Sequence, residues 1–298
     1  MDNGFASPAI FIPIIIGSLM LVAFFIWELK FAKTPLLTSK LLSNRVCISI
    51  ILIRAVLQFD QTLTWQYMNA YLALSRGISA YDVNLINLGY KVPWFVFGFA
   101  CALAIRKISD VRTIIWISVG IYAIGVGLTI PSRSPDTYVG VVSFIEGVIG
   151  SGSGIAACAT LVVLQTSVDP SEIANVSAID TLLTNALSSV ASGIAAIVWT
   201  KSLAQNLAQK LPTEYKTQIP ELIADTNKLA KLPTSIRELW IDALSDSQWL
   251  ICTVAISFAC VCFVIALSLP PIGFQRVEDE GDEIIFDNET KEKLLASE

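Results

Sequence analysis

A stripe of polar side chains in an otherwise apolar segment has the spacing to grip a solute. Arg54, Gln58, Gln61 and Trp65 recur at intervals of four, three and four residues, which places them on one face of an α-helix. A guanidinium, two amides and an indole suit the wall of a water-filled cavity that binds a polar or anionic solute. The alternative is a hydrogen-bond network between helices that contacts no solute. Because structural networks seldom need this many amides on one face, we predict that the stripe lines a substrate pathway.

Three carboxylates in apolar segments are candidates for proton coupling, namely Asp60, Glu146 and Asp180. A charge at the centre of a bilayer costs at least about 2.5–3.5 kcal/mol, so each one needs a functional or structural reason. The chain has no histidine, the usual proton carrier near neutral pH. Proton coupling would therefore have to use carboxylates or water. Asp60 lies off the stripe of Arg54, which leaves it free to pair with another helix.

Two further polar residues are candidates for the same pathway, each with a structural alternative. Lys91 could balance Asp60 or meet the solute, or it could be a lysine that extends to the membrane interface. Asn185 lies on a face of serines and threonines that helix packing would also explain. The glycines of the segment 138–166 indicate a helix that approaches its neighbours closely; they are Gly147, Gly150, Gly152 and Gly154.

The composition indicates that lipid is the solvent of this chain. Of its 298 residues, 54% are hydrophobic and only 15% are charged, whereas about 25% are charged in a typical soluble domain. A soluble fold of this length could not bury so much apolar surface. The sequence therefore predicts an integral, multi-pass membrane protein that contacts the lipid bilayer.

Seven stretches are long enough to cross a bilayer, since a span needs about 20 mainly apolar residues. The predicted fold class is an all-α, polytopic transmembrane helix bundle that occupies residues 1–271. We place its spans near residues 8–27, 46–74, 83–105, 112–131, 138–166, 173–199 and 248–270.

Orientation follows from the basic residues of the short connections, which stay in the cytoplasm. Lysine and arginine are concentrated in the first and third connections, at Lys30, Lys33, Lys40, Arg45, Arg106, Lys107 and Arg112. This pattern predicts that the long polar segment 200–247 is an extracytoplasmic loop, in which the spacing of Leu203, Leu207 and Leu211 predicts a short amphipathic helix. It also predicts that the acidic tail of residues 272–298 is cytoplasmic.

Catalytic chemistry has no support in the sequence. It contains no nucleophile–base pair, no cluster of metal ligands and no nucleotide fingerprint, and its six cysteines form no CxxC pair. No basic patch with interleaved aromatic residues suggests nucleic-acid binding. We predict that the protein is not an enzyme and that it needs no cofactor, no metal and no nucleic acid.

Several segments resemble the C-terminal half of the fungal siderophore-iron transporter family, which is part of the major facilitator superfamily. The resemblance is carried by Gln165, Ile173-Ala174, the run GIAAIVWT at 193–200, Leu207, Leu211-Pro212, the link TPLL at 34–37 with LLSNR at 41–45, and the segment 112–130 with Tyr122, Gly125 and Gly127. It implies two pseudo-symmetric bundles that hold the solute between them near the middle of the membrane and rock to alternate access.

The resemblance further implies proton-coupled symport of ferric siderophores, and so iron transport, across a fungal plasma membrane or an endosomal or vacuolar membrane. Arg54, Gln58 and Gln61 would then line the cavity with Lys91 as a second polar contact, and Trp240 of the long loop would gate or capture the substrate. One alternative is exchange of glutathione or another organic anion for protons. Another is a truncated, non-transporting half that acts only with a missing N-terminal half or a second copy.

Overall fold

Helices make up nearly all of the described chain. The computed structural model describes residues 8–32, 41, 43–108, 110–216, 219, 233–272, 274–276 and 284–286. The helices are α1 (Pro8–Lys30), α2 (Arg45–Trp65), α3 (Met68–Arg76), α4 (Ala80–Ile105), α5 (Val111–Ser132), α6 (Val139–Thr166), α7 (Ile173–Lys210), α8 (Thr213–Lys216) and α9 (Thr234–Leu267).

Six helical segments of the described chain are long and apolar enough to cross a membrane. They are Arg45–Arg76, which joins α2 and α3, then α4, α5, α6, the segment Pro170–Lys210 that ends with α7, and α9. The predicted all-α membrane bundle is therefore confirmed. At the first predicted span, α1 contains an apolar stretch, Ile15–Glu28, that is shorter than a full span.

Side-chain caps set where several of these helices begin. Asn44 accepts a hydrogen bond from the backbone amide of Cys47 at 3.1 Å, and Ser79 accepts one from that of Asp82 at 3.2 Å. Each cap satisfies an amide that the first turn of a helix leaves without a partner. Gly77 ends α3 with a φ of 62°, a left-handed conformation that favours glycine.

The bundle is organised around α6, which packs against both α4 and α5, while α2 packs against α7 and α9. The buried apolar residues form two clusters. One contains the first half of α2 from Val46 to Ile53, and the other begins at Phe59 further along the same helix. Arg54 and Gln58 lie between these two stretches of α2. The polar stripe is therefore placed where one apolar cluster gives way to the next.

The segment 200–247, predicted as a loop, is largely helical where the structure describes it. Helix α7 continues to Lys210 and α9 already begins at Thr234, while residues 217–218 and 220–232 of the segment lie outside the described residues. The 38 residues of α7 extend about 57 Å at about 1.5 Å per residue, which exceeds the hydrocarbon core of about 30 Å. Helices α7 and α9 therefore continue beyond the apolar layer.

Polar and apolar contacts join the extensions of α7 and α9. Lys210 lies 2.5 Å from one carboxylate oxygen of Asp242 and of Asp246. The amide of Asn206 donates to Ser247 at 3.1 Å, and Leu203 and Leu207 are buried beside them. The amphipathic helix predicted at these leucines is present, but it is the continuation of α7 and gives that helix a buried face.

The predicted acidic tail 272–298 contains a short antiparallel pair of strands. Strand β1 is Phe274–Arg276 and β2 is Ile284–Phe286, with Phe274 opposite Phe286. The remainder of that tail beyond Ile272 lies outside the described residues. Its cytoplasmic location stays a prediction, as does the extracytoplasmic location of the segment 200–247.

Candidate solute-binding cavity

A cavity of about 380 Å³ lies among α2, α4, α5, α6 and α7. Its wall is mainly polar and aromatic, a composition that suits a polar organic solute. The lining residues are Arg54, Leu57, Gln58, Gln61, Tyr90, Trp94, Tyr122, Ser153, Ala157, Thr160 and Thr184.

The structure places three of the four predicted stripe residues in this wall, namely Arg54, Gln58 and Gln61. Trp65 lies behind the wall and packs edge-on against Tyr90, with ring centroids 4.8 Å apart. The indole nitrogen of Trp65 is buried and has no hydrogen-bond partner among the described residues. The helical spacing of the stripe thus brings the guanidinium and both amides together and leaves the indole to support a neighbouring ring.

The cation of the cavity is already paired. Arg54 Nε donates to Asp180 Oδ1 at 2.8 Å, which ties α2 to α7. Arg54 Nη1 donates to the carbonyl of Ala157 at 3.3 Å and to Thr160 Oγ1 at 3.2 Å on α6. Because the charge of Asp180 offsets that of Arg54, the described lining has little net charge. It offers hydrogen-bond donors and acceptors that suit a solute of little net charge.

A hydrogen-bonded chain crosses another part of the wall. The amide of Gln61 donates to the hydroxyl of Tyr90, which lies 2.9 Å from Ser153 Oγ. The side chain of Gln58 lines the cavity and makes no hydrogen bond with the described residues. Gln58 is therefore the amide most available to a solute.

Three cavity aromatics each face a glycine of α6. A Cβ atom on Gly150 would overlap the backbone of Tyr90, and one on Gly154 would overlap the backbone of Trp94. A Cβ on Gly152 would likewise approach the backbone of Tyr122 of α5. The predicted close approach of α6 to its neighbours therefore positions the cavity aromatics, because the glycines let the backbones of Tyr90, Trp94 and Tyr122 lie directly against α6.

Asp60 lies behind the cavity wall and is fully buried. Tyr122 Oη donates to Asp60 Oδ2 at 2.9 Å, while Oδ1 has no hydrogen-bond partner among the described residues. The expected contact with another helix therefore comes from a tyrosine of α5. Tyr122 also lines the cavity, so one tyrosine belongs to both the cavity wall and the surroundings of the carboxyl group.

Glu146 is held away from the cavity lining in a buried ion pair. Arg133 Nη2, which follows α5, lies 3.0 Å from Glu146 Oε1, and both side chains are almost wholly buried. The hydroxyl of Tyr71 donates to the backbone carbonyl of Arg133. Sequence reasoning missed this pair because Arg133 follows an apolar segment and has the position of an ordinary loop cation.

The remaining predicted residues do not line the cavity. Lys91 and Asn185 are exposed on α4 and α7. Trp240 is 2% exposed and packs within the apolar core, and its indole nitrogen has no partner among the described residues. The roles proposed for these three residues in the pathway stay predictions that would need a further element or a rearrangement.

Sequence reasoning also missed several lining residues, because Tyr90, Trp94 and Ser153 do not stand out within apolar helices. The spacing of four between Tyr90 and Trp94 was an available signal, since it places both on one helix face. Tyr122 entered the sequence argument only as part of a resemblance. Its position opposite Asp60 depends on how α2 and α5 pack.

The fold matches half of a solved proton symporter. The chain superimposes on the Escherichia coli fucose:proton symporter FucP with a TM-score of 0.52 and 15% sequence identity, over 76% of this chain and 50% of the symporter. Together with the six apolar helices, this fold defines an integral, multi-pass membrane protein.

Curated fungal proteins confirm the resemblance seen in the sequence. The chain is 25% identical to the siderophore iron transporter mirB of Emericella nidulans, over 79% of this chain and 39% of the relative. It is 27% identical to siderochrome iron transporter B of Aspergillus fumigatus, over 70% and 34%. A low affinity heme transporter of Schizosaccharomyces pombe, str3, is 23% identical over 94% and 45%.

The chain spans less than half the length of these curated relatives. No family model matches it. The relatives are transporters and not enzymes, in agreement with the prediction from the sequence.

Proposed function

We propose that this chain forms one half of a proton-coupled transporter whose substrate is a ferric siderophore. The observation that carries the proposal is the polar, aromatic cavity between two apolar clusters of the bundle. Similarity to two proteins named as siderophore or siderochrome iron transporters supplies the substrate class. The membrane would be the fungal plasma membrane or an endosomal or vacuolar membrane.

The charge balance of the wall favours a substrate with little net charge. Arg54 is the one charged residue in the described lining, and Asp180 pairs with it. Three hydroxamate groups carry three negative charges, which cancel the three positive charges of a ferric ion. A ferric trihydroxamate chelate can therefore present a neutral, oxygen-rich surface to Gln58, Gln61 and the tyrosine hydroxyls.

Exchange of glutathione or another organic anion is the second candidate function. Such a solute needs a cation that is free to bind it, as transferring a charge from water without a partner is costly. Arg54 would have to leave Asp180 to serve as that cation. The observed pair therefore favours the siderophore over the anion.

A companion half would complete the cavity, and two helices have faces suited to it. In the most apolar windows of α4 and α7 only 17% and 11% of the residues are buried, against 61% for α6. Lys91 lies exposed on α4, and a lysine that faces lipid is costly. We place the companion half, or a second copy, against α4 and α7, where Lys91 would contact it or the shared cavity.

The test is uptake by the polypeptide encoded by the complete reading frame that contains this chain, produced in a yeast host without siderophore uptake of its own. We expect accumulation of radiolabelled ferrichrome, a neutral trihydroxamate, that a protonophore abolishes. A ferric tricatecholate of high negative charge should accumulate far less, and glutathione should not be exported. Failure to accumulate either ferric chelate would exclude the proposed function, and glutathione export alone would establish the second candidate.

A double-mutant cycle on Arg54 and Asp180 tests whether the cation binds substrate. We expect Arg54→Ala and Asp180→Ala each to lower ferrichrome uptake about tenfold or more, since each leaves a poorly solvated charge without its partner. The double variant should recover much of the loss, with an interaction energy of about 0.5–3 kcal/mol. Uptake is measured at matched surface expression.

Recovery in the double variant would assign the pair to structure and charge balance. If uptake instead stays at the level of the Arg54→Ala variant, the guanidinium contacts the substrate directly. That result would contradict the neutral-substrate argument.

A further inference from the structure

A buried carboxyl group and the solute cavity share one tyrosine, Tyr122. Asp60 is fully buried on α2, and Tyr122 Oη of α5 donates to its Oδ2 at 2.9 Å. Tyr122 is itself 1% exposed, yet it belongs to the cavity lining. Asp60 is absent from that lining, and the hydrogen bond from Tyr122 is the one that joins its side chain to a lining residue among the described residues.

The surroundings of Asp60 contain no compensating cation among the described residues. None of their ion pairs involves Asp60. Cys262 of α9 lies beside Asp60, and Tyr90 of α4 lies near Tyr122. On α7, Asp180 is engaged with Arg54 of α2, and on α6, Glu146 is engaged with Arg133. Tyr122 is accordingly the main polar partner of this carboxyl group.

We propose that Tyr122 couples protonation of Asp60 to solute binding by reversing the direction of their hydrogen bond. This inference rests on the proposed transport function and adds the residue that links proton and substrate. When Asp60 is ionised, its carboxylate can only accept, so the Tyr122 hydroxyl donates to it and has no proton to offer the cavity. A phenol hydroxyl has one hydrogen and can also accept, so the opposite arrangement is available to it.

Proton uptake switches that arrangement with every proton accounted for. Tyr122 passes its hydroxyl proton to Asp60 Oδ2 and receives one from a hydronium ion in the cavity, which becomes water. The new Asp60 O–H then donates to Tyr122 Oη, and the hydroxyl hydrogen of Tyr122 turns towards the cavity. There it can donate to a carbonyl or hydroxamate oxygen of the solute.

The coupling has a defined sign. A solute that accepts from Tyr122 binds more tightly when Asp60 is protonated, and bound solute in turn holds the proton on Asp60, because coupling between two sites is reciprocal. For one coupled proton, the dissociation constant changes by at most about tenfold per pH unit. Solute and proton would then cross the membrane together.

Infrared difference spectroscopy of the purified complete protein tests the protonation step without any substrate. Acidification should produce a carbonyl band of a protonated carboxyl group that Asp60→Asn removes. Tyr122→Phe should keep this band and shift it, because the carboxyl group loses its hydrogen-bond partner. Tyr138→Phe, a change at an exposed tyrosine outside the cavity, is the matched control and should leave the band in place.

Ferrichrome binding at several pH values tests the coupling step. The unmodified protein should bind more tightly as the pH falls, whereas Tyr122→Phe and Asp60→Asn should both bind with no pH dependence. Both variants should lose proton-driven accumulation, and Asp60→Asn should retain exchange of labelled for unlabelled ferrichrome. Asp60→Asn keeps the test decisive if Tyr122→Phe fails to fold.

Two outcomes would overturn the proposal. One is an unshifted carboxyl band in Tyr122→Phe, and the other is a pH dependence of binding that survives in that variant. Failure of the proposed function has a different signature, since no ferrichrome would then accumulate in the unmodified protein while the shifted infrared band would still be observed.

Discussion

Gly154→Ala is expected to separate α4 from α6 and to destabilise the protein severely. A Cβ atom at this position would overlap the backbone carbonyl of Trp94, and a backbone group cannot move aside as a flexible side chain can. Overpacking a well-packed core costs typically about 1–3 kcal/mol, and a backbone clash belongs at or above the upper end. The measurement is the fraction of monodisperse protein that survives a heating series in detergent.

The matched control is Gly193→Ala in α7, where an added Cβ would meet nothing within 4 Å. It introduces the same methyl group into another long helix, so it reports any general effect of alanine. We expect its heating curve to match that of the unmodified protein or to lie at higher temperature, because alanine favours helix over glycine. Equal stability of the two variants would contradict the close contact between α4 and α6.

The membrane bundle could be predicted from sequence because each span is specified locally. About 20 apolar residues identify a helix that must satisfy its own backbone in lipid, and α4, α5 and α6 lie close to their predicted ranges. In the segment 200–247, the helical spacing of Leu203 and Leu207 predicted only a short amphipathic helix, because the many charged residues around it indicated a loop. The structure extends α7 through these leucines to Lys210 and buries them.

Only the part of the site that lies on a single helix could be predicted from the sequence. The spacing on α2 predicted that Arg54, Gln58 and Gln61 share a face, and all three line the cavity. The contact between Arg54 and Asp180 joins residues 126 positions apart, and no periodicity within one helix reports it. That contact changes the chemistry expected of the cavity, since it converts a predicted anion-binding group into half of a neutral pair.

The three buried acids show the same limit. Their sequence environments are alike, yet the structure gives each a different partner, with Arg54 beside Asp180, Arg133 beside Glu146 and Tyr122 beside Asp60. Two of the acids therefore have a cation to offset their charge and the third has a neutral hydroxyl. This difference comes from helix packing, and it singles out Asp60 as the acid whose environment a proton would change most.

Glu146→Gln is expected to lower the free energy of unfolding by about 3–5 kcal/mol, the usual effect of removing one partner from a buried ion pair. The side chain of Arg133 is 1% exposed and that of Glu146 is 0% exposed. Arg133 Nε and Nη1 already lack partners among the described residues, so the guanidinium has no substitute for the lost charge. The loss is a large share of a total stability of about 5–15 kcal/mol, and we expect little folded protein in a detergent heating series.

Replacing both partners should relieve most of that loss, because a buried ion pair exchanged for apolar side chains of similar volume is often neutral or stabilising. We expect the double variant Arg133→Met with Glu146→Met to unfold at nearly the same temperature as the unmodified protein.

Lys210→Met is the control for an exposed pair, since Asp242 and Asp246 are 60% and 51% exposed. It should lower the free energy of unfolding by no more than about 1 kcal/mol. A double variant whose loss equals the summed losses of Arg133→Met alone and Glu146→Met alone would show that Arg133 and Glu146 do not act as a pair. Proton-driven ferrichrome uptake by a stable double variant would show that transport does not need a proton on Glu146.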